Sequence, residues 1–489
     1  MARDWRDERI GELERENGEL KAQLAAALAR ITALEEKLRK SSRNSSKPPS
    51  SDTPAQTAER RKKAAAITKP GGRKPGGQPG HEKFTRQVVP PEQVAQHTDC
   101  IPQHCERCNL VLHGSDPSPE LHQVFHLPEV IPLVFQYALH ALGCPDPECG
   151  HVTVGKLPPG VPRGAFGPSV IATTAFLIGV CRLGKRPVQA VMEGLFNLRI
   201  SLGAVIGCQD IASSALQSPV EEAKQAAQRA AVKHCDETSW REGPQRTKVW
   251  LWTVVTKHIV VFQIHKERST KAARALLGKI RGVLVSDRYS SYGFWTLWLR
   301  QICWSHIIRD FVAIAERGGQ SQRIGDSLLE ESRRLFAWWH RVRDGTLTRA
   351  RFQVYVRSLK KRVLALLEEG QSCANSKTAN TCAEMLKVWP AFWLFVDRKG
   401  VEPTNNAAER EVRHGVLWRK ISGGTHSELG SRFVERILTV VATLRRQNRS
   451  VLHFLRDACE AHLSGSESPS LLPQRTRVTT THHEIRAAA

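Results

Sequence analysis

The feature that most constrains the fold is a run of strand-like and helix-like segments between residues 231 and 315. Strands are expected at 231–235, 248–256, 258–265, 282–286 and 301–304, and helices at 269–279 and 306–315. Apolar residues fill the strands, and Ser269 is a suitable N-cap for the first helix. The pattern predicts an α/β protein with a mixed sheet flanked by helices.

Acidic residues follow two of these strands. Asp236 comes directly after the first strand, and Asp287 comes directly after the fourth. Glu237 is next to Asp236, but side chains alternate along a strand, so only one of the two can face a given site. The matching position of Asp287 favours Asp236 as the site residue.

A third acid, Glu409, lies near the start of a helix expected at 407–417. Residues 419–425 follow as a basic, glycine-bearing loop that is suited to holding phosphate. Arg419 and Lys420 are its cations, and we therefore expect both to contact DNA.

With acids after the first and fourth strands, the order of segments is that of the ribonuclease-H-like fold. We expect a ribonuclease-H-like, mixed-sheet catalytic core that is interrupted by a helical insertion. The expected boundaries are 231–310 for the first part of the core, 311–400 for the insertion, 401–425 for the last acidic helix and basic loop, 426–464 for a C-terminal helical region and 465–489 for a disordered tail. Four tryptophans of the insertion are expected in its core rather than as base-stacking platforms: Trp338, Trp339, Trp389 and Trp393.

Residues 8–40 carry a heptad repeat. Position a is occupied by Ile10, Asn17, Leu24, Ile31 and Leu38, and position d by Leu13, Leu20, Ala27 and Leu34. This pattern is typical of a parallel two-stranded coiled coil, in which an Asn at position a fixes the register. We expect residues 1–42 to form a leucine zipper that makes the chain a homodimer. A single helix packed on its own protein is the alternative.

Residues 43–95 are rich in proline, glycine and basic residues and poor in apolar ones. Such a composition predicts a linker that is disordered in isolation. Within it, Arg73 and Lys74 lie in the stretch 72–81, which resembles a short arm that enters the minor groove of DNA. A flexible solvated linker explains the composition equally well.

Residues 96–160 contain two closely spaced pairs of cysteines: Cys105 with Cys108, and Cys144 with Cys149. Two such pairs on tight turns can bind one tetrahedral zinc ion, so we expect a small zinc finger with structural Zn²⁺. Residues 121–139 alternate like a β-hairpin between the pairs. The alternative is a small hairpin with free thiols.

Residues 161–230 read as helices. Ser201 can cap the third of them, which we expect to run to Ser214. A helix, a short turn and a helix with arginines nearby resemble a helix-turn-helix DNA-binding region. Three core helices that join two domains explain the same pattern equally well.

The charge of the chain favours nucleic acid as its partner. Lys and Arg number 72 against 48 Asp and Glu, which gives a net charge of +24. This surplus predicts binding to nucleic acid. The longest apolar runs are too short for a membrane span of about 20 residues, and residues 1–9 do not resemble a signal peptide. We therefore expect a cytoplasmic, nucleoid-associated protein without membrane contact, whose cysteines are thiols or metal ligands.

Four motifs occur in a fixed order: Cys-Asp-Glu-Thr-x-Trp at 235–240, Val-Ser-Asp-x-Tyr-x-x-Tyr at 285–292, Cys-Trp-x-His at 303–306 and Asn-Asn-x-Ala-Glu-Arg at 405–410. With the zipper and the cysteine module, they resemble the insertion-sequence transposases of the IS-sixty-six type, which are TnpC-like DDE transposases. The resemblance covers nearly the whole chain. It implies that Asp236, Asp287 and Glu409 form the catalytic, metal-binding triad.

The resemblance also implies the reaction and its cofactor. The chain would bind the ends of a mobile element, cut them and join them to target DNA. Two Mg²⁺ ions (or Mn²⁺) about 3.5–4 Å apart serve such phosphoryl transfers, and carboxylates are the ligands that Mg²⁺ prefers. Asp236 would bridge both ions, with Asp287 on one and Glu409 on the other. Further candidates for contacting the phosphate or the DNA end are His306, Arg413 and Lys420.

Two other functions fit the same core. A ribonuclease-H-like nuclease or resolvase would cut DNA without joining it, and a catalytically inactive regulator would only bind DNA. The zipper, the cysteine module and the basic arm argue against a simple nuclease, and the presence of all three acids argues against an inactive core. Accessory proteins of the same element are candidate partners of a transposase.

Overall fold

The computed structural model describes residues 4–39, 58, 86 and 88–473. The predicted basic arm with Arg73 and Lys74 lies outside these residues, as do residues 474–489 of the predicted tail. Contacts divide the chain into two units. One comprises Met1–Asp52 together with Pro132–Ala489, and the other is Thr53–Ile131.

The described residues are mainly helical and contain a two-stranded and a five-stranded sheet. The helices are α1 (Asp4–Arg39), α2 (Pro168–Gly179), α3 (Lys185–Phe196), α4 (Leu202–Ala215), α5 (Gln217–Arg229), α6 (Thr270–Leu277), α7 (Trp304–Ala315), α8 (Gly319–Arg343), α9 (Arg349–Gln371), α10 (Ser376–Lys387), α11 (Leu394–Asp397), α12 (Asn406–Ser422), α13 (Glu428–Arg446) and α14 (Val451–Ser464). The strands are β1 (Ala141–Gly143), β2 (Val152–Val154), β3 (Val232–Glu242), β4 (Thr247–Val255), β5 (Val260–His265), β6 (Val283–Ser286) and β7 (Arg300–Ile302). Among the described residues, no helix combines the length and apolar character that crossing a membrane requires.

Five strands form one mixed sheet in the order β5-β4-β3-β6-β7. β3, β4 and β5 pair antiparallel, whereas β3, β6 and β7 pair parallel. The prediction of an α/β protein with a mixed sheet is confirmed. β3 lies at the centre, between the antiparallel and the parallel halves.

β3 is longer than the sequence predicts. The strand expected at 231–235 continues to Glu242, because every residue from His234 to Glu242 has a partner on β4. Asp236 therefore lies within the strand and not after its end. Because residues 236–239 are polar, the sequence pattern does not predict that the strand continues through them. Trp240, which follows them, is nevertheless completely buried.

Helix α13 covers the edge of the sheet at β5. Three of its side chains, spaced four residues apart, accept hydrogen bonds from alternate N–H groups of the strand: Glu435 from Ile264, Thr439 from Phe262 at 3.0 Å and Thr443 from Val260 at 3.1 Å. Residues four apart share a helix face, and alternate strand residues point their N–H groups the same way. The helix thus takes the place of a sixth strand and protects an edge that could otherwise pair with another chain.

The described residues form two hydrophobic cores. One lies between the sheet and helices α2, α4, α13 and α14, and the other lies within the insertion formed by α8–α11, together with β6, β7 and α7. Trp339 and Trp393 are buried in the second core, and Trp338 and Trp389 pack against it. The insertion tryptophans are core residues, as predicted.

Helices α2–α5 occupy the region that resembles a helix-turn-helix. Ser201 accepts a hydrogen bond from the N–H of Ala204 at 3.1 Å and so caps α4, as predicted. Ile171 of α2 and Val205 of α4 are fully buried in the first core, which fits the alternative of core helices. A role of this region in DNA binding stays a prediction.

Helix α1 occupies the segment with the heptad repeat. Its seam residues Ile10, Leu13, Leu20 and Leu24 are exposed in the single chain. Pairing of two such helices stays a prediction.

The hairpin predicted at 121–139 is wrong, since these residues contain no strand. The hairpin of this region is β1–β2, with Ala141 opposite Val154. Pro128 and Pro132 interrupt the alternating segment, and proline cannot donate to a strand ladder.

The first part of the predicted disordered tail is packed. Ser470 and the N–H of Leu471 donate hydrogen bonds to Glu222, and Leu471 is completely buried. Arg449 donates to the carbonyl oxygens of Ser470 and Leu472. The expected boundary at residue 465 is therefore too early.

Candidate active site

The strand register brings Asp236 and Asp287 together. β3 and β6 run parallel, and His234 is the register partner of Val285. Two residues after these partners come Asp236, within β3, and Asp287, directly after the end of β6. Because neighbouring strands lie about 4.8 Å apart, the two acids emerge side by side at the centre of the sheet.

Helix α12 brings the third acid to the same place. It packs across β3 and β4, and Glu409 lies in its first turn. The approach is close at Gly415, where a β-carbon would lie 2.2 Å from Cδ2 of Leu251. Glycine at this position allows the helix to contact the sheet directly.

Asn405 fastens the start of α12 to the central strand. Its side chain is buried, donates a 2.7 Å hydrogen bond to the carbonyl oxygen of Cys235 and lies 3.3 Å from the ring of His234. Its backbone N–H lies 3.1 Å from Sγ of Cys303. Asn405 thus joins α12, β3 and the start of α7, four residues before Glu409. The sequence predicts that Asn405 or Asn406 begins the helix, but not this contact.

Asp287 is held in place by two further contacts. Its carboxylate accepts a 3.0 Å hydrogen bond from the N–H of Tyr289. The buried guanidinium of Arg300 donates a 2.8 Å hydrogen bond to the Asp287 carbonyl oxygen. Burial lowers the pKa of Arg300 to about 10, so this cation remains charged at neutral pH beside the acids.

The three acids interact electrostatically. Burial, and then the negative charges of Glu237, Asp287 and Glu409, raise the pKa of Asp236 well above its usual range. Like charges that share a site disfavour ionisation unless a cation compensates them. The arrangement is therefore suited to binding a divalent cation.

Glu237 is bound elsewhere. Its carboxylate is almost completely buried, forms a 2.6 Å ion pair with Arg268 and accepts a hydrogen bond from the hydroxyl of Tyr292. The Arg268 guanidinium stacks on the ring of Tyr289. Glu237 therefore supports the wall of the site, and Asp236 remains the acid that is free to bind a ligand.

His306 and Cys303 lie beside Glu409. Nδ1 of His306 is 3.8 Å from Oε1 of Glu409, and both atoms are buried without a hydrogen-bond partner. Burial, and then the charge of Arg309, lower the pKa of His306. Cys303 was not predicted as a site residue, although it begins the Cys-Trp-x-His motif.

A cavity of about 490 Å³ opens next to the acids. It is lined by Arg268, Asp287, Arg288, Tyr289, His306, Arg309, Asp310 and Ala313. Arg288 forms a 2.5 Å ion pair with Asp310 at its rim. The cavity combines cations with one of the three acids, which suits an anionic ligand that approaches a metal ion.

The basic residues after Glu409 lie on α12 and not in a loop. The predicted phosphate-holding loop at 419–425 is wrong in this respect, because the helix continues to Ser422. Arg413 and Lys420 are exposed, one turn and about three turns after Glu409 on the same helix face. Arg419 instead donates to the backbone carbonyl of Ser239 and so fastens the helix to β3.

The four cysteines of the predicted zinc finger lie on two tight turns. The N–H of Cys105 donates to the carbonyl oxygen of Leu110 at 2.9 Å, and the N–H of Cys144 donates to that of His151 at 2.8 Å. Hydrogen bonds from the backbone of Cys108 lower the pKa of the Cys105 thiol, which favours the thiolate form that binds metals. Zinc binding by Cys105, Cys108, Cys144 and Cys149 stays a prediction.

Comparison with known proteins adds two family matches. The model of the "Transposase IS66 family" matches residues 163–432, which is more than half of the chain and contains the whole candidate site. A second model, described as a "Family of unknown function (DUF6444)", matches residues 3–87. No curated protein matches the chain. The extent of the first match shows that the chain belongs to the Transposase IS66 family.

Proposed function

We propose that the protein is a DDE-type transposase that binds the ends of an insertion sequence and catalyses Mg²⁺-dependent strand cleavage and strand transfer. Membership of a transposase family supports transposition as the process and DNA as the substrate. One observation carries the finer proposal. Asp287 lines one cavity with His306, whose ring lies 3.8 Å from Glu409, and the charges of both acids raise the pKa of Asp236, although the whole insertion separates Asp287 from Glu409 in the chain.

The topology of the sheet supports a ribonuclease-H-like core. Numbered along the chain, the five strands lie in the order third, second, first, fourth, fifth, with the first three antiparallel. The helical insertion follows the fifth strand and helix α7, before the helix that carries Glu409. This is the order that we expect from the sequence for a ribonuclease-H-like core with an insertion.

Asp236, Asp287 and Glu409 are the residues that would hold the metal ions. The donor set fits, since it consists of hard carboxylate oxygens, and Oε1 of Glu409 is buried with no partner in the protein. The mutual repulsion of the acids also favours a cation between them. When bound, two Mg²⁺ or Mn²⁺ ions would activate the attacking hydroxyl and stabilise charge on the leaving oxygen.

The residues around the acids would orient the DNA. His306 can accept or donate a proton at the edge of the cavity, close to Glu409. Arg413 and Lys420 continue from Glu409 along the exposed face of α12, where they would bind backbone phosphates. Such contacts fix the position of the duplex and make binding dependent on salt.

The remaining parts would deliver DNA to this core. Residues 1–42 would dimerise the chain, and the basic linker at 43–95, including Arg73 and Lys74, would add phosphate contacts. A zinc-stabilised module at 96–160 and the helices at 161–230 would recognise the ends of the element. Accessory proteins of the same element are candidate partners, and binding to DNA would place the protein on the nucleoid.

A strand-transfer assay tests the proposal. The full chain is mixed with labelled DNA ends of its element, a target plasmid and Mg²⁺. We expect joined products, and Asp287→Ala is expected to bind the same DNA without cutting it. Cut but unjoined DNA would indicate a nuclease or resolvase, and bound but unchanged DNA would indicate a regulator. Cutting by Asp287→Ala would overturn the site.

A further inference from the structure

A second set of metal-ligand atoms lies at the edge of the acid cluster. Sγ of Cys303, a ring nitrogen of His306 and a carboxylate oxygen of Glu409 all lie within 4.8 Å of one another. Among the described residues, these are the three His, Cys, Asp or Glu side chains whose ligand atoms lie this close to one another. Cysteine and histidine are soft or borderline ligands, unlike the three carboxylates beside them.

The ligand atoms are available in the folded chain. Nδ1 of His306 and Oε1 of Glu409 are buried, have no hydrogen-bond partner and lie 3.8 Å apart. A tetrahedral zinc ion holds nitrogen and oxygen ligands about 3.3 Å apart, as its bond lengths of about 2.0–2.2 Å require. These two ligand atoms would therefore have to approach each other by about half an ångström.

The sulfur of Cys303 lies beside the starts of two helices. Cys303 is the N-cap residue of α7, a twelve-residue helix. The N–H of Asn405, at the start of α12, lies 3.1 Å from its sulfur. Burial raises the pKa of the Cys303 thiol, so the cation displaces the thiol proton when it binds.

We propose that Cys303, His306 and Glu409 form a site for Zn²⁺ or another thiophilic divalent cation, distinct in its preference from the carboxylate site. On binding, the cation forms a bond to sulfur, and the thiol proton leaves to water. The three residues supply three of the four positions of a tetrahedral ion, and water fills the fourth. Binding itself does not depend on the proposed transposase activity.

The site has a consequence for catalysis that rests on the proposed function. Glu409 is shared, and a carboxylate oxygen bound to Zn²⁺ is withdrawn from the Mg²⁺ set. Thiophilic cations would therefore inhibit Mg²⁺-dependent cleavage, and the inhibition would require Cys303.

Co²⁺ is a suitable probe, because bonds to sulfur give it a charge-transfer absorption that carboxylates do not. The full chain is freed of metal with a chelator and is then titrated with Co²⁺. We expect wild type to bind one more equivalent with a sulfur–cobalt band than Cys303→Ala. Cys459→Ala removes an equally buried thiol far from this set and serves as the matched control. Circular dichroism confirms that each variant is folded.

His306→Ala provides a second test and is expected to weaken Co²⁺ binding on the order of tenfold or more. The same Co²⁺ spectrum and affinity in wild type and Cys303→Ala would overturn the site. Asp236→Asn distinguishes the proposed transposase activity from the proposed Cys303 site. This variant should abolish DNA cleavage and leave the sulfur–cobalt band unchanged. In cleavage assays, micromolar Zn²⁺ should slow wild type but not Cys303→Ala, each compared with its own zinc-free rate. Equal inhibition of both proteins would refute the regulatory consequence alone.

Discussion

Replacing Asn405 tests how α12 is held over the central strand. Asn405→Ala removes the 2.7 Å hydrogen bond to the Cys235 carbonyl oxygen and the contact with His234. Asn405 is 1% exposed, so water does not replace the lost donor. An unsatisfied buried polar group costs about 1–3 kcal/mol, and we expect the free energy of unfolding to fall by that amount.

The same change is expected to reduce DNA cleavage beyond its effect on stability. Asn405 lies one turn before Glu409, and a misplacement of about 1 Å in a reacting site can cost on the order of 100-fold in rate. Asn406→Ala is the matched control, because Asn406 is exposed and its loss should change stability by less than about 0.5 kcal/mol. Urea unfolding and Mg²⁺-dependent cleavage are measured for both variants. Equal unfolding midpoints and equal rates would refute the role given to Asn405.

Three further changes test other parts of the molecule. Burial raises the pKa of Glu435 to about 7, so the folded state favours the protonated form of this side chain. The free energy of unfolding therefore falls as the pH rises from about 4.5 to about 7. Glu435→Gln should remove up to about 3 kcal/mol of this pH dependence, as measured by urea unfolding at pH 5 and pH 8. Gly415→Ala forces a methyl group against Leu251, which should lower the free energy of unfolding by about 1–3 kcal/mol and slow DNA cleavage. Gly194 has open space around it, so Gly194→Ala should slightly stabilise the protein in thermal unfolding. Leu20→Asp places a charge in the seam of the predicted coiled coil and should convert a dimer to a monomer in light scattering; a dimer that survives would contradict the zipper.

The order of the core elements was predictable because each has a strong local pattern. The β4–β5 hairpin, the capped helix α6 and the buried strand β6 all lie within a few residues of their expected positions. Their periodicity and caps are properties of neighbouring residues, which a sequence displays directly. The pairing of β3 with β4 beyond residue 236 is a tertiary effect, and hydrophobicity alone does not predict it.

The sequence predicts the positions of the three acids of the candidate site, but not the contacts that hold them in place. Asp287 follows from a strand end and Asp236 from motif resemblance, since the strand that carries Asp236 continues to Glu242. The contacts of Asn405 with Cys235 and of Cys303 with the start of α12 join residues that are 170 and 102 positions apart. Such contacts depend on how helix α12 packs on the sheet, which no local pattern encodes. Likewise, only the fold shows that Arg419 is bound to Ser239 whereas Lys420 is exposed.

The most direct test of the central claim is the binding of Mn²⁺ to the full chain, measured by electron paramagnetic resonance. We expect Asp236→Asn, Asp287→Asn and Glu409→Gln each to weaken Mn²⁺ binding by about tenfold or more, which corresponds to about 1.4 kcal/mol. Asp310→Asn changes an acid that lines the same cavity but pairs with Arg288, and it should bind Mn²⁺ like wild type. Unchanged binding in the first three variants, or an equal loss in Asp310→Asn, would contradict the assignment of one metal site to the three acids.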